Sequence, residues 1–102
     1  MGIETVTQKI KEKMSLAGGL DATIVLDFKD DGQIFIDTTQ SPAVISHVVE
    51  TDEPDLKLSC KIETFEDILS GKQDPNIAFM MGKLKIKGSM GLAMKLNSII
   101  ED

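Results

Sequence analysis

Residues 82–96 read GKLKIKGSMGLAMKL. Two periods meet in this stretch. Leu84 and Ile86 alternate with Lys83, Lys85 and Lys87, the pattern of a strand with one buried face. From Ser89 onward the apolar residues recur three and four apart, which predicts a helix over about 89–100. Gly88 stands at the change of period, and with Gly91 it predicts a tight strand-to-helix turn and close packing. A strand passing directly into an amphipathic helix points to a sheet covered by helices.

The upstream sequence repeats the same two periods. Asp74-Pro75 reads as an N-cap followed by a proline in the first helical turn. It opens a short helix through Ile77, Phe79, Met80 and Met81, stopped by Gly82. Before it, Phe65, Ile68 and Leu69 form the apolar face of another helix. Thr64 and Asp67 are spaced as a capping box at its start, and Gly71 closes it. In LKLSCKI, residues 56–62, Leu56, Leu58, Cys60 and Ile62 share one strand face. TDEPD makes the preceding loop. AVISHVVE (43–50) after Pro42 and QIFIDTT (33–39) predict two further strands. Ala22, Ile24, Leu26 and Phe28 mark the first strand, joined to the second by an Asp30-Asp31-Gly32 turn. Ile3, Val6, Ile10 and Met14 line a first helix, ended by Gly18 and Gly19. The predicted fold is α+β: a five-stranded, mainly antiparallel sheet with helices on one face.

Composition narrows the function. The chain has 102 residues and a formal net charge of −6, which suits one domain and argues against general nucleic-acid binding. Cys60 is the single cysteine, so no internal disulfide forms and a reducing compartment is expected. No apolar run reaches the length of a membrane span, and the amino terminus does not read as a signal peptide. The carboxyl end, IIED, is not a peroxisomal tripeptide, and a cytoplasmic location is expected. The lysines of the first helix make it the expected point of weak membrane contact. His47 is the only histidine. It has no ligand-spaced partner, and the acidic runs at 30–31 and 50–55 do not follow a calcium-loop pattern. No nucleophile–base pair appears, so no enzyme is expected.

Four of the six methionines, Met80, Met81, Met90 and Met94, fall within residues 78–96. On a helical projection, Ile99, Leu92, Leu96, Ile100 and Ala93 fill one arc, with Met90 and Met94 beside it. Such residues either fill gaps in an irregular core or line a deformable apolar cavity. Composition does not separate these readings.

GKLKIKGSMGLAMKL, together with LSGKQDPNIAFMMGKLKI before it, resembles the signature of the sterol carrier protein-2 family of non-specific lipid-transfer proteins. The resemblance covers nearly the whole chain and is specific over residues 65–96. It implies one lipid-binding domain over residues 1–102, with an apolar tunnel between sheet and helices. The ligands it implies are fatty acid, fatty acyl-CoA, sterol or phospholipid, with neither catalysis nor a cofactor. Carried across position by position, it implies lipid contacts at Phe65, Leu69, Phe79, Met80, Met90, Leu92, Met94 and Leu96. Three features depart from the family pattern: Met81 stands where a polar residue is common, the segment after the first helix is short, and the chain stops soon after the last helix. Oligomeric state stays open. A second reading is an accessory module for a lipid-metabolising enzyme, with a filled or vestigial cavity. Lys83, Lys85 and Lys87 read either as edge-strand protection or as a landing site for a CoA phosphate or lipid headgroup.

Overall fold

A computed structural model describes residues 2–14, 20–40, 43–49 and 51–100. Helix α1 spans Ile3–Met14, followed by β1 (Thr23–Asp27), a 3-10 turn (Lys29–Asp31), β2 (Gln33–Asp37), β3 (Val44–Ser46) and β4 (Leu56–Cys60). Then come α2 (Ile62–Leu69), α3 (Pro75–Met80), β5 (Leu84–Gly88) and α4 (Met90–Ile100). The strands form one sheet in the order β3-β2-β1-β4-β5. Its neighbours pair antiparallel except β1 with β4, which run parallel in the register Ile24↔Leu56 and Leu26↔Leu58. The sheet is therefore mixed and mostly antiparallel, in an α+β architecture.

The apolar faces meet as the two periods require. Val6, Ile10 and Met14 of α1 pack with Ile24, Leu26, Ile34, Ile36, Leu56 and Leu58 of the sheet and with Phe65 and Leu69 of α2. The rings of Phe28 and Phe65 tilt together at 5.4 Å. Val25 and Phe35, opposite each other in the β1–β2 register, are also buried although they point to the other face. Burial on β1 and β2 is thus two-sided at the centre, which simple alternation does not reveal.

Several boundaries differ from the sequence reading, among them β2, which ends at Asp37 instead of residue 39. β3 ends at Ser46 instead of running to residue 50. His47 leaves the ladder and its Nε2 lies 2.9 Å from Thr7 Oγ1. That hydroxyl donates to Ile3 O, so it accepts from the imidazole N–H. Helix α2 begins at Ile62, not Thr64, with Lys61 as an extended N-cap and no side-chain cap. Ile62 is buried from the helix, so the strand period runs two residues past the end of β4 at Cys60. The Thr64–Asp67 capping box is therefore not the helix start. The glycine stop at 18–19, Pro42 and the predicted strand's last residue, 50, lie outside the described residues.

Other turn readings hold. Asp74 Oδ1 accepts the N–H groups of Asn76 and Ile77, capping α3, while Gly71 and Gly82 take positive φ at the ends of α2 and α3. Gly88 has φ +116°, and a Cβ there would sit 2.3 Å from the backbone oxygen of Asp55. That oxygen accepts the N–H of Ser89, and the Asp55 carboxylate accepts from Thr23 N–H at 3.0 Å. One residue thus ties β1, β4 and the β5–α4 turn. Ser89 Oγ then accepts the N–H of Leu92 at 3.1 Å, capping α4. Gly91 is exposed with no tight neighbour, so only Gly88 of the pair serves close packing.

Candidate functional site

Strands β4 and β5 turn Leu58, Leu84 and Ile86 toward the helices. Helix α2 brings Phe65 and Ile68 above them, and α4 closes the side with Met90, Ala93, Met94, Leu96, Asn97 and Ile100. Between these elements lies a pocket of about 180 Å³, with Pro75 and Asn76 from the first turn of α3 also on its lining. Among the described residues no charged side chain lines it; the polar members are Asn76, Asn97 and Ser98. Ser98 Oγ donates to Met94 O. The Oδ1 atom of Asn97 is buried without a hydrogen-bond partner. An unpaired buried acceptor costs about 1–3 kcal/mol, so this amide is a natural anchor for a polar group on a bound molecule.

The eight residues singled out in the sequence separate here. Phe65, Met90, Met94 and Leu96 line the pocket. Leu69 and Leu92 do not: both are buried in the packed core. Phe79 and Met80 lie outside as well, 43% and 81% exposed. Helix α3 has only six residues and buries only Ala78, so its large side chains turn away from the core. Met90 and Met94 are 50% and 68% exposed, which makes them the outer wall of the pocket instead of its floor. The floor residues Leu58, Ile68, Leu84 and Ile86 were legible as apolar faces but not as a site. Asn97 was missed; its spacing from Met90 and Met94 places all three on one side of the helix.

Cys60 is buried on β4. Burial, with the nearby Asp27 charge adding to it, pushes its thiol pKa up to about 12. The group is therefore a protonated packing thiol at neutral pH, not an activated nucleophile. Among the described residues, no three His, Cys, Asp or Glu side chains come together as a metal site. No described helix is long and apolar enough to cross a membrane.

Residues 3–101 match the model of the SCP-2 sterol transfer family. The chain belongs to this family. Hydroxysteroid dehydrogenase-like protein 2 of Rattus norvegicus is 39% identical to this SCP-2 domain over 75 residues, covering 74% of the chain and 14% of that protein. Sterol carrier protein 2 of the same organism is 37% identical over 87 residues, covering 80% of the chain and 13% of its own length. The chain thus spans about one-seventh of these relatives. Among solved structures, palmitated SCP2L2 from Aedes aegypti superposes with a TM-score of 0.76 at 22% identity, covering 100% of this chain and 96% of that one. The likeness establishes a common fold.

Proposed function

We propose that residues 1–102 act as one non-catalytic lipid-binding domain, taking the apolar chain of a fatty acid, fatty acyl-CoA, sterol-like lipid or phospholipid into the α2–β5–α4 pocket. The observation that carries this reading is an apolar pocket with no charged side chain among its described lining residues, whose outer wall is two half-exposed methionines. An ionised headgroup would pay heavily to enter it and stays at the rim. A neutral hydroxyl or ester group finds Asn97 inside. The palmitated Aedes aegypti relative supports an acyl chain as the ligand class.

Size sets a condition on uptake. A cavity of about 180 Å³ is close to one of roughly 150 Å³ that accommodates benzene. A long chain therefore requires the wall to move. Met90 and Met94 suit this, being unbranched and able to repack around varied shapes. Helix α4 is held beneath them by Leu92, Leu96 and Ile100. Each methylene then buried contributes about 0.8 kcal/mol, before ordering costs.

The route of entry follows from exposure. The apolar stripe of α1 is buried in the core, which leaves that helix only its polar face for a membrane. Ile77, Phe79, Met80 and Met81 of the α3 segment are exposed beside the pocket, as are Met90 and Met94. This rim is the better apolar contact with a lipid surface. A free, protonated thiol fits a cytoplasmic setting.

The accessory reading has its own support, since the domain matches a small part of a protein named as dehydrogenase-like. Native mass spectrometry of purified protein, with a fluorescent fatty-acid titration, tests the proposal. A co-purifying lipid or saturable uptake is expected. Failure of both in apolar-ligand assays would return the pocket to a vestigial packing defect.

A further inference from the structure

A second concavity, about 420 Å³, lies at the β4–α2 corner, on the flank of α2 that carries Thr64 and Asp67. Its chemistry is opposite to that of the apolar pocket. Four lysines line it: Lys29 from the 3-10 turn, Lys61 at the start of α2, and Lys83 and Lys85 from β5 and the residue before it. Ser59, Thr64 and Gln73 add neutral donors, and Asp67 is the only carboxylate among the described lining residues. In a chain of formal net charge −6, four ammonium groups around one concavity make a local field opposite to that of the whole protein. None of the four has an ion pair among the described residues.

The adjoining backbone is also short of acceptors. Lys61 provides no side-chain cap to α2, and the N–H groups of Ile62, Glu63 and Thr64 precede the first helical bond, made by Phe65 N–H to Lys61 O. A lysine at the positive end of a helix is the reverse of the usual preference, unless an anion sits there. Glu63, in the first turn, is exposed and does not line the groove.

We propose that this groove binds a phosphate or diphosphate group. Such a group carries enough charge and enough acceptor oxygens for several lysines and hydroxyls at once. The proposal is independent of the lipid reading, because none of these residues lines the apolar pocket.

The test is calorimetric titration with pyrophosphate at low ionic strength, comparing wild type with Lys61→Gln/Lys83→Gln and with Lys87→Gln/Lys95→Gln. The two variants change net charge equally, but the second alters lysines outside the groove. Affinity should fall by about tenfold in the first and less than about twofold in the second. Amide shifts on pyrophosphate addition should be largest at Ile62, Glu63 and Thr64. Equal weakening in both variants, or shifts spread along every lysine-bearing element, would overturn the site in favour of diffuse charge. So would the absence of binding to both probes. A parallel arm uses phosphatidylcholine vesicles containing phosphatidic acid. Loss of vesicle binding in the first variant assigns the group to a lipid headgroup; loss of pyrophosphate binding alone assigns it to a soluble ligand. Fatty-acid uptake should survive in Lys61→Gln/Lys83→Gln, so failure of the apolar pocket and failure of this groove give different results.

Discussion

Replacing Met90 and Met94 together by alanine separates a ligand wall from a packed core. Fully burying a methionine contributes roughly 1.5–3 kcal/mol. Met90 is 50% exposed and Met94 68%, so about half and a third of that is at stake, near 1 and 0.7 kcal/mol. The double variant should lose under about 2 kcal/mol, read as a fall in melting temperature of less than about 10 °C for a domain of this size. Uptake of a fluorescent fatty acid should weaken by about tenfold or more, since two side chains that would cover the bound methylenes are gone. The assay pairs a thermal melt with a titration on the same preparation. Were these residues core, each truncation would cost about 2–5 kcal/mol and leave a void. A loss of that size, or an unchanged affinity, would refute the reasoning.

Leu96, 1% exposed at the base of the same helix, should behave oppositely: Leu96→Ala should cost about 2–5 kcal/mol by urea denaturation. Gly88→Ala meets both positive φ and the Asp55 oxygen at 2.3 Å, and should destabilise by more than about 2 kcal/mol. Gly71→Ala, with φ +81° but open space, should lose only about 1–2 kcal/mol. Cys60 should label slowly in the native protein and quickly in denaturant. Its thiol holds its proton up to about pH 12 when folded against 9.0 as a free group, so unfolding releases a proton in alkali. Stability should therefore fall as pH climbs from about 9 toward 12, more in wild type than in Cys60→Ala. His47→Ala removes the link from the end of β3 to α1 and should cost about 0.5–1.5 kcal/mol.

Local chemistry made most of the fold legible. The alternation in β1, β2, β4 and β5 and the Asp74-Pro75 helix start are set by neighbours in sequence, and they read correctly. The length of β3 did not, because His47 leaves the sheet for Thr7, a partner forty residues away that no local pattern shows. The start of α2 was misplaced since Ile62 satisfies both an inward strand position and a buried helix position. The parallel β1–β4 pair is a matter of chain path, which alternation does not encode. At the pocket, Phe65, Met90, Met94 and Leu96 could be gathered from period and resemblance. Phe79 and Met80 could not be excluded, because an apolar side chain on a one-and-a-half-turn helix does not announce which way that helix docks. Asn97 was invisible for another reason: a buried, unpaired amide oxygen exists only once its surroundings are built.

The parallel pair also divides the molecule in time. Every other strand pairing joins strands that follow one another in the sheet-forming part of each half: β1–β2–β3 before the 51–55 loop, β4–β5 after it. Joining Thr23 to Asp55 closes 32 residues of chain, a longer closure than the β1–β2 hairpin and one of the same order as β4–β5, where Cys60 meets Leu84 and Leu56 meets Gly88. All described residues lining the apolar pocket fall between Leu58 and Ile100. During synthesis the amino-terminal half therefore emerges first, as an unfinished sheet whose open edge is β1. The pocket-forming half, which carries its own floor residues Leu58, Ile68, Leu84 and Ile86, must then pair β4 with that edge to complete the sheet. A chain cut within the 51–55 loop should thus yield two complementary pieces, and recovery of fatty-acid uptake on mixing them would report when that seam has closed.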